Sequence, residues 1–217
     1  MAFETTRARF YRLLGNSRFW ILAGGIVLSC NIAGVIQLLV PDSTAQIMLT
    51  SQCYGFLALG LLYLALLASP LTKVYPDLFF QAFYLHARRA VGVLAFYYAF
   101  LHAYLGFFKQ LDGFAGISHL DSNFTAALLL GVFSLAILSV LTATSLDWVV
   151  KTMGFKRWKL LQRLVYLASV ATLIHIVLIG TLYSGVNLAS TLTAVAVIVL
   201  LWLEAIRIRN RRQGKRS

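Results

Sequence analysis

The stretch "RRAVGVLAFYYAFLHAY", Arg88–Tyr104, opens with two arginines, continues as an almost wholly apolar run, and places one imidazole, His102, well inside it. About 20 consecutive apolar residues are enough for a helix to cross a bilayer. An ionisable ring at that depth is costly unless it has a partner or a task. The surrounding run offers no water and no carboxylate, so the partner has to come from elsewhere in the chain.

The rest of the chain has the same character. It has 217 residues, 60% of them hydrophobic and 12% charged, with mean hydropathy +0.80. Soluble domains carry about 25% charged residues, so the composition is that of an integral membrane protein. The net charge of +12 does not indicate nucleic acid, because the arginines lie between apolar runs rather than along one face. Cys30 and Cys53 fall in different apolar runs and have neither metal spacing nor a disulfide pattern; they read as small apolar fillers. The first apolar run starts at Phe19 and lacks a small-residue cleavage site, so it is expected to remain as a span rather than be removed as a leader.

Six apolar runs are long enough to span, near residues 19–40, 46–68, 90–108, 123–143, 160–181 and 187–205. They predict an all-α six-helix bundle forming a single domain over 1–217, with no proline interrupting a span. The segment "YPDLFFQAFYLHARR", Tyr75–Arg89, is aromatic but broken by charge and is expected to lie along the interface. The connections "PDSTA", "KQLDGFAGISHLDS" and "YSGVN" contain one basic residue, Lys109. The other eighteen of the nineteen basic residues flank the opposite ends of the spans: Arg7, Arg9, Arg12 and Arg18; Lys73, Arg88 and Arg89; Lys151, Lys156, Arg157, Lys159 and Arg163; and Arg207, Arg209, Arg211, Arg212, Lys215 and Arg216. The positive-inside rule makes that side cytoplasmic, with both termini inside. The expected location is therefore the inner (plasma) membrane. The dozen residues after the last span are too few for a catalytic domain.

Of four histidines, His86 and His119 fall outside the apolar cores and read as solvated polar residues. His102 and His175 lie inside spans three and five, which run in the same direction. They follow Arg89 and Arg163 by 13 and 12 residues, which at 1.5 Å per residue sets both roughly 18–20 Å from the basic boundary. The imidazoles are therefore level. On their helical faces lie Ala95, Ala99 and Gly106 beside His102, and Ala168, Ala171 and Thr172 beside His175, with Tyr98 as the one large exception. Small residues allow close packing, and they also leave room for a flat macrocycle. A proton relay wants acidic partners, and neither span contains Asp or Glu. Two neutral imidazoles are the usual axial ligands of a b-type haem, and that reading satisfies both rings.

With these residues, the pieces "SPL" (Ser69–Leu71), "TATS" (Thr142–Ser145) and "GFKRWKLLQRLVYLASVATLIH" (Gly154–His175) complete a pattern that resembles the ferric-reductase-like transmembrane family, most strongly over residues 69–182. The likeness is greatest to the haem-binding membrane subunits of periplasmic methionine sulfoxide reductase systems. It implies a b-type cytochrome that passes electrons across the membrane, with His102 and His175 as haem-iron ligands and no catalytic residue of its own. The family commonly has a second histidine where this chain has Gln162, so one haem is expected rather than two. Arg88, Arg89, Gln162 and Arg163 are candidate contacts for haem propionates, a quinone or FMN; the arginines could equally snorkel to lipid phosphate. Trp148 and Trp158 read as interfacial anchors.

No Gly-rich dinucleotide fingerprint is present. The donor is then expected to be membrane quinol or a flavin reductase, and the acceptor a periplasmic partner such as a molybdoenzyme, or a metal ion reduced outside. The rival class is a polytopic transporter or assembly scaffold with structural histidines and no haem. A transporter would want broken helices and intramembrane carboxylates.

Overall fold

The computed structural model describes residues 2–180 and 188–213, with side chains described for 17–180 and 191–210. The side chains of Arg7, Arg9, Arg12, Arg211 and Arg212, the residues Lys215 and Arg216, and the connection "YSGVN" lie outside the described residues. Every described element is helical: α1 Ala2–Leu39, α2 Ser43–Val74, α3 Gln81–Leu105, α4 Phe114–Ile117, α5 Ser122–Ala143, α6 Asp147–Met153, α7 Phe155–Leu161, α8 Leu164–Ile179 and α9 Leu188–Gln213. Six helical segments are long and apolar enough to cross a membrane: Ser17–Leu39, Ser43–Val74, Gln81–Gln110, Ser122–Ala143, Phe155–Ile179 and Thr191–Asn210. They correspond one to one with the expected spans, and the chain is a multi-pass membrane protein.

Local chemistry sets the helix starts. Asp42 caps α2 by accepting from the Ala45 amide at 2.6 Å, and Asp121 caps α5 by accepting from the Phe124 amide at 2.7 Å. Each satisfies an amide that the first turn leaves without a partner. The third span ends in a π-helical turn, Gly106–Gln110. Asp112 and Gly113 then reverse the chain at φ 52° and 68°, a backbone region in which a side chain is strained.

Two expectations are corrected. The segment 81–89 is not a separate element before the third span; it forms the first turns of α3. Three of its polar side chains are bonded by α2. Gln81 Nε2 donates to the Thr72 carbonyl at 3.3 Å, the Tyr84 hydroxyl to Leu64 at 2.5 Å, and Arg88 Nε to Ala65 at 2.8 Å. Residues 81, 84 and 88 share one helical face, so α3 is fastened along α2 by its own polar side. Second, α2 does not stop near residue 68 but continues through buried Pro70 to Val74. A proline inside a helix removes an amide and pushes back the carbonyl four residues earlier. On either side of that turn, Arg88 donates to the Ala65 carbonyl and the Thr72 hydroxyl donates to that of Ala68 at 2.7 Å.

The most extensive packing is of α2 along α3 and of α5 along α8. The two helices that carry the intramembrane histidines are thus each paired with a different neighbour. α1 leans on α3, held by the Tyr98 hydroxyl donating to the Gly25 carbonyl at 2.7 Å, and touches α2, where the Tyr54 hydroxyl donates to the Ser29 carbonyl at 2.8 Å. α9 packs on α2, where Arg207 reaches the Ser69 hydroxyl at 3.2 Å. A buried cluster of Leu62, Leu66, Ala95, Leu138 and Ala168 joins the two pairs.

Candidate functional site

His102 on α3 and His175 on α8 come together as their levels predict. Their ring centres stand 6.3 Å apart with the ring planes at 86°. Each Nδ1 faces a backbone carbonyl of the neighbouring helix, that of Ser51 at 2.9 Å for His102 and that of Ala127 at 2.7 Å for His175. A carbonyl only accepts, so Nδ1 carries the proton in both rings and the lone pair is left on Nε2. Nε2 lies across each ring from its backing helix. The Ser51 hydroxyl adds a contact at 3.2 Å to His102 Nδ1.

This spacing has a chemical meaning. A metal–imidazole bond is about 2 Å and the ring centre lies about 1.1 Å behind the nitrogen, so two imidazoles opposed across one metal have centres about 6 Å apart. The observed separation fits one ion between the rings. Among the described residues there is no group of three or more His, Cys, Asp or Glu side chains that could hold a metal ion by itself. The two imidazoles are thus the nitrogen donors that this site offers.

Sequence reasoning missed what stands behind the rings. A Cβ added at Gly55 would lie 3.1 Å from His102 Nδ1, and one added at Gly131 would lie 2.9 Å from His175 Nδ1 and Cε1. Ser51 and Gly55, like Ala127 and Gly131, are four residues apart, a repeated spacing that was visible but had no meaning until the helix pairs were known. The small residues two turns before each histidine, Ala95 and Ala168, are fully buried in the shared cluster and close the bundle below the rings.

Beyond that cluster, toward the basic ends of the spans, a cavity of about 840 Å³ opens. Arg88, Arg89, Gln162 and Arg163 all line it, together with His86 and Trp158. Its polar groups are arranged by specific contacts. Arg89 pairs with Asp147 and sits 5.3 Å over the Trp158 ring. Arg18 approaches the same carboxylate at 3.6 Å. Gln162 Nε2 donates to the Leu141 carbonyl at 3.2 Å. Gln162 and Arg163 also mark a tightening between α7 and α8, where Val165 and Tyr166 bond three residues back at 3.3 and 3.1 Å. Such 3₁₀ turns inside a span are uncommon.

Trp158 Nε1 and Arg18 Nε are buried without a hydrogen-bond partner, which leaves donors for an acceptor-bearing ligand. Trp158 is therefore a wall of this cavity, whereas Trp148 is 67% exposed. His86 is also drawn to the cavity, because α3 begins early. His119 is exposed, as expected.

The chain matches the ferric reductase like transmembrane component family over residues 54–173, more than half of its length and inclusive of α3 and most of α8. It is 36% identical over 126 residues to the protein-methionine-sulfoxide reductase heme-binding subunit MsrQ of Brucella anthropi, covering 57% of this chain and 54% of that one. It is 33% identical over 123 residues to the MsrQ proteins of Brucella ovis and Brucella canis, covering 56% of this chain and 52% of each of those. The chain thus spans about half the length of the curated relatives it matches. The matched region contains α3 and α5, the greater parts of α2 and α8, His102, Arg88, Arg89, Gln162 and Arg163, with His175 two residues beyond its end, and on that evidence the chain belongs to the ferric-reductase-like transmembrane family.

Proposed function

We propose that His102 and His175 are the axial ligands of one b-type haem, and that the chain, a single domain over 1–217, carries electrons across the membrane as a subunit of a methionine sulfoxide reductase-like or metal-reducing system. The observation that carries the reading is the opposed imidazole pair, 6.3 Å between ring centres with both Nδ1 atoms tied back to carbonyls. Hydrogen bonding of the far nitrogen is the usual way a protein fixes a ligating histidine. The relatives' printed name, heme-binding subunit, supports the same cofactor. A haem held there supplies a one-electron carrier inside the bilayer. His102 and His175 hold its iron, and the packed cluster of Leu62, Leu66, Ala95, Leu138 and Ala168 keeps water from reaching it from the basic end.

The positive-inside rule sets the basic end, with both termini, in the cytoplasm of a cell inner membrane. The cavity lined by Arg88, Arg89, Gln162 and Arg163 then faces the donor side. Its guanidinium groups and the unpaired Trp158 Nε1 suit the acceptor atoms of a quinone or of FMN on a docked flavin reductase. Gln162 is a poor iron ligand and its amide is already bonded to Leu141, which supports one haem per chain. The acceptor is an outer, periplasmic partner protein of the molybdoenzyme kind, or an oxidised metal ion. The test is the reduced-minus-oxidised spectrum of the purified chain beside His102→Ala and His175→Ala. A b-type spectrum lost in both variants is the expected result; a colourless wild-type chain leaves the scaffold or transporter reading.

A further inference from the structure

We propose that Gly55 and Gly131 are positioning residues that set the rotation and electron-donating strength of the two histidines by exposing a helix carbonyl to each. The inference rests on the haem reading and deepens it.

In an α-helix the carbonyl of residue i bonds the amide of residue i+4. Its second lone pair is screened by whatever side chain residue i+4 carries. His102 Nδ1 bonds the carbonyl of Ser51, and residue 55 is glycine; His175 Nδ1 bonds that of Ala127, and residue 131 is glycine. Both acceptors are buried, Ser51 2% and Ala127 0% exposed, so water does not compete for them. In each case the imidazole stands so close that a Cβ would press on it, at 3.1 Å for Gly55 and 2.9 Å for Gly131.

The device occurs twice, on α2 and on α5, with the same four-residue spacing and the same atom of the partner ring. Glycine is unfavourable in a helix interior, and not every glycine here has this use: a Cβ at Gly60, also on α2, would meet nothing within 4 Å.

The consequence for the ligands follows from second-shell chemistry. A carbonyl that accepts from Nδ1–H raises the basicity of the opposite nitrogen and fixes the ring plane. A more basic imidazole favours ferric over ferrous iron, so the pair holds the reduction potential down. Pushing a ring off its carbonyl weakens the donation and raises the potential.

The experiment compares the full-length wild type with Gly131→Ala, Gly55→Ala and Gly60→Ala. It reads haem content, the midpoint potential and the low-spin ferric electron paramagnetic resonance spectrum. The expected result is an upward potential shift with altered g-anisotropy in both site variants, larger for Gly131→Ala because its contact is tighter, while Gly60→Ala matches the wild type. If Gly131→Ala holds no haem, the milder Gly55→Ala decides by the same readouts. Wild-type potential and spectrum in every haem-containing site variant overturn the positioning role alone. A wild-type chain without a haem spectrum overturns the haem reading on which it rests.

Discussion

The imidazole planes of His102 and His175 stand at 86° to one another, each held there by a bond from Nδ1 to a different helix. Near-perpendicular axial imidazoles leave the two iron d-orbitals that interact with them almost equal in energy. The ferric protein is therefore expected to give a strongly anisotropic low-spin resonance with one large g value, rather than the compact rhombic signal of parallel rings. Frozen-solution spectroscopy of the oxidised chain checks this; a rhombic signal means the rings rotate when the iron binds.

Ligation predicts a simple pattern of losses. His102→Ala and His175→Ala should each remove the bound haem while the protein still inserts in the membrane. His119→Ala should keep it, since that residue is exposed and remote. The haem-to-protein ratio should be near one. A ratio of two that falls to one in His86→Ala would place a second haem in the inner cavity, which His86 lines.

Tyr98 makes a separable contribution, one helical turn from His102. It is 1% exposed and its hydroxyl donates to the Gly25 carbonyl. A net hydrogen bond of this kind is worth about 1 kcal/mol, or about 2–4 °C in the melting temperature of a chain this size. Tyr98→Phe should lower the detergent melting midpoint by that amount and leave the haem spectrum in place. Loss of haem together with the hydroxyl would mean that α1 holds the site closed.

The donor side is testable through Arg89, which joins Asp147 and covers the Trp158 ring. Arg89→Gln and Trp158→Phe should each slow haem reduction by quinol or by a flavin reductase about tenfold, a barrier change of about 1.4 kcal/mol, with haem content unchanged. Stopped-flow reduction measures it. Unchanged rates in both variants would remove the cavity from the electron path.

Topology gives a further prediction. In sealed vesicles with the basic ends inside, an impermeant oxidant supplied outside should oxidise the haem faster than the same oxidant enclosed within, because the ligands lie roughly 18–20 Å from the basic boundary of a core about 30 Å thick. Equal rates from both sides would contradict the assigned depth.

The spans and the level of His102 and His175 were legible in the sequence because both depend on distance along one helix, which hydropathy and a fixed rise determine. The backing of those rings was not, because it depends on which helix lies beside which: nothing in "SQCYG" (Ser51–Gly55) says that it will face α3. Residues 81–89 misled for a related reason. Gln81, Tyr84 and Arg88 read as surface groups when taken alone, and their acceptors belong to α2, near a proline that the reading placed outside the span. The cavity-lining place of Trp158 was hidden likewise, since an anchor at the lipid boundary and a cavity wall share one composition.

The pairing of α2 with α3 and of α5 with α8 also bears on how the protein is made. Each pair is a hairpin of two consecutive spans, so each can close as soon as its second strand of helix enters the bilayer. His102 finds the Ser51 carbonyl, and His175 finds that of Ala127, within its own hairpin. The backing of each ring is therefore local to one hairpin, and a haem held as proposed would bridge the two hairpins, so that cofactor loading would also fasten one half of the bundle to the other.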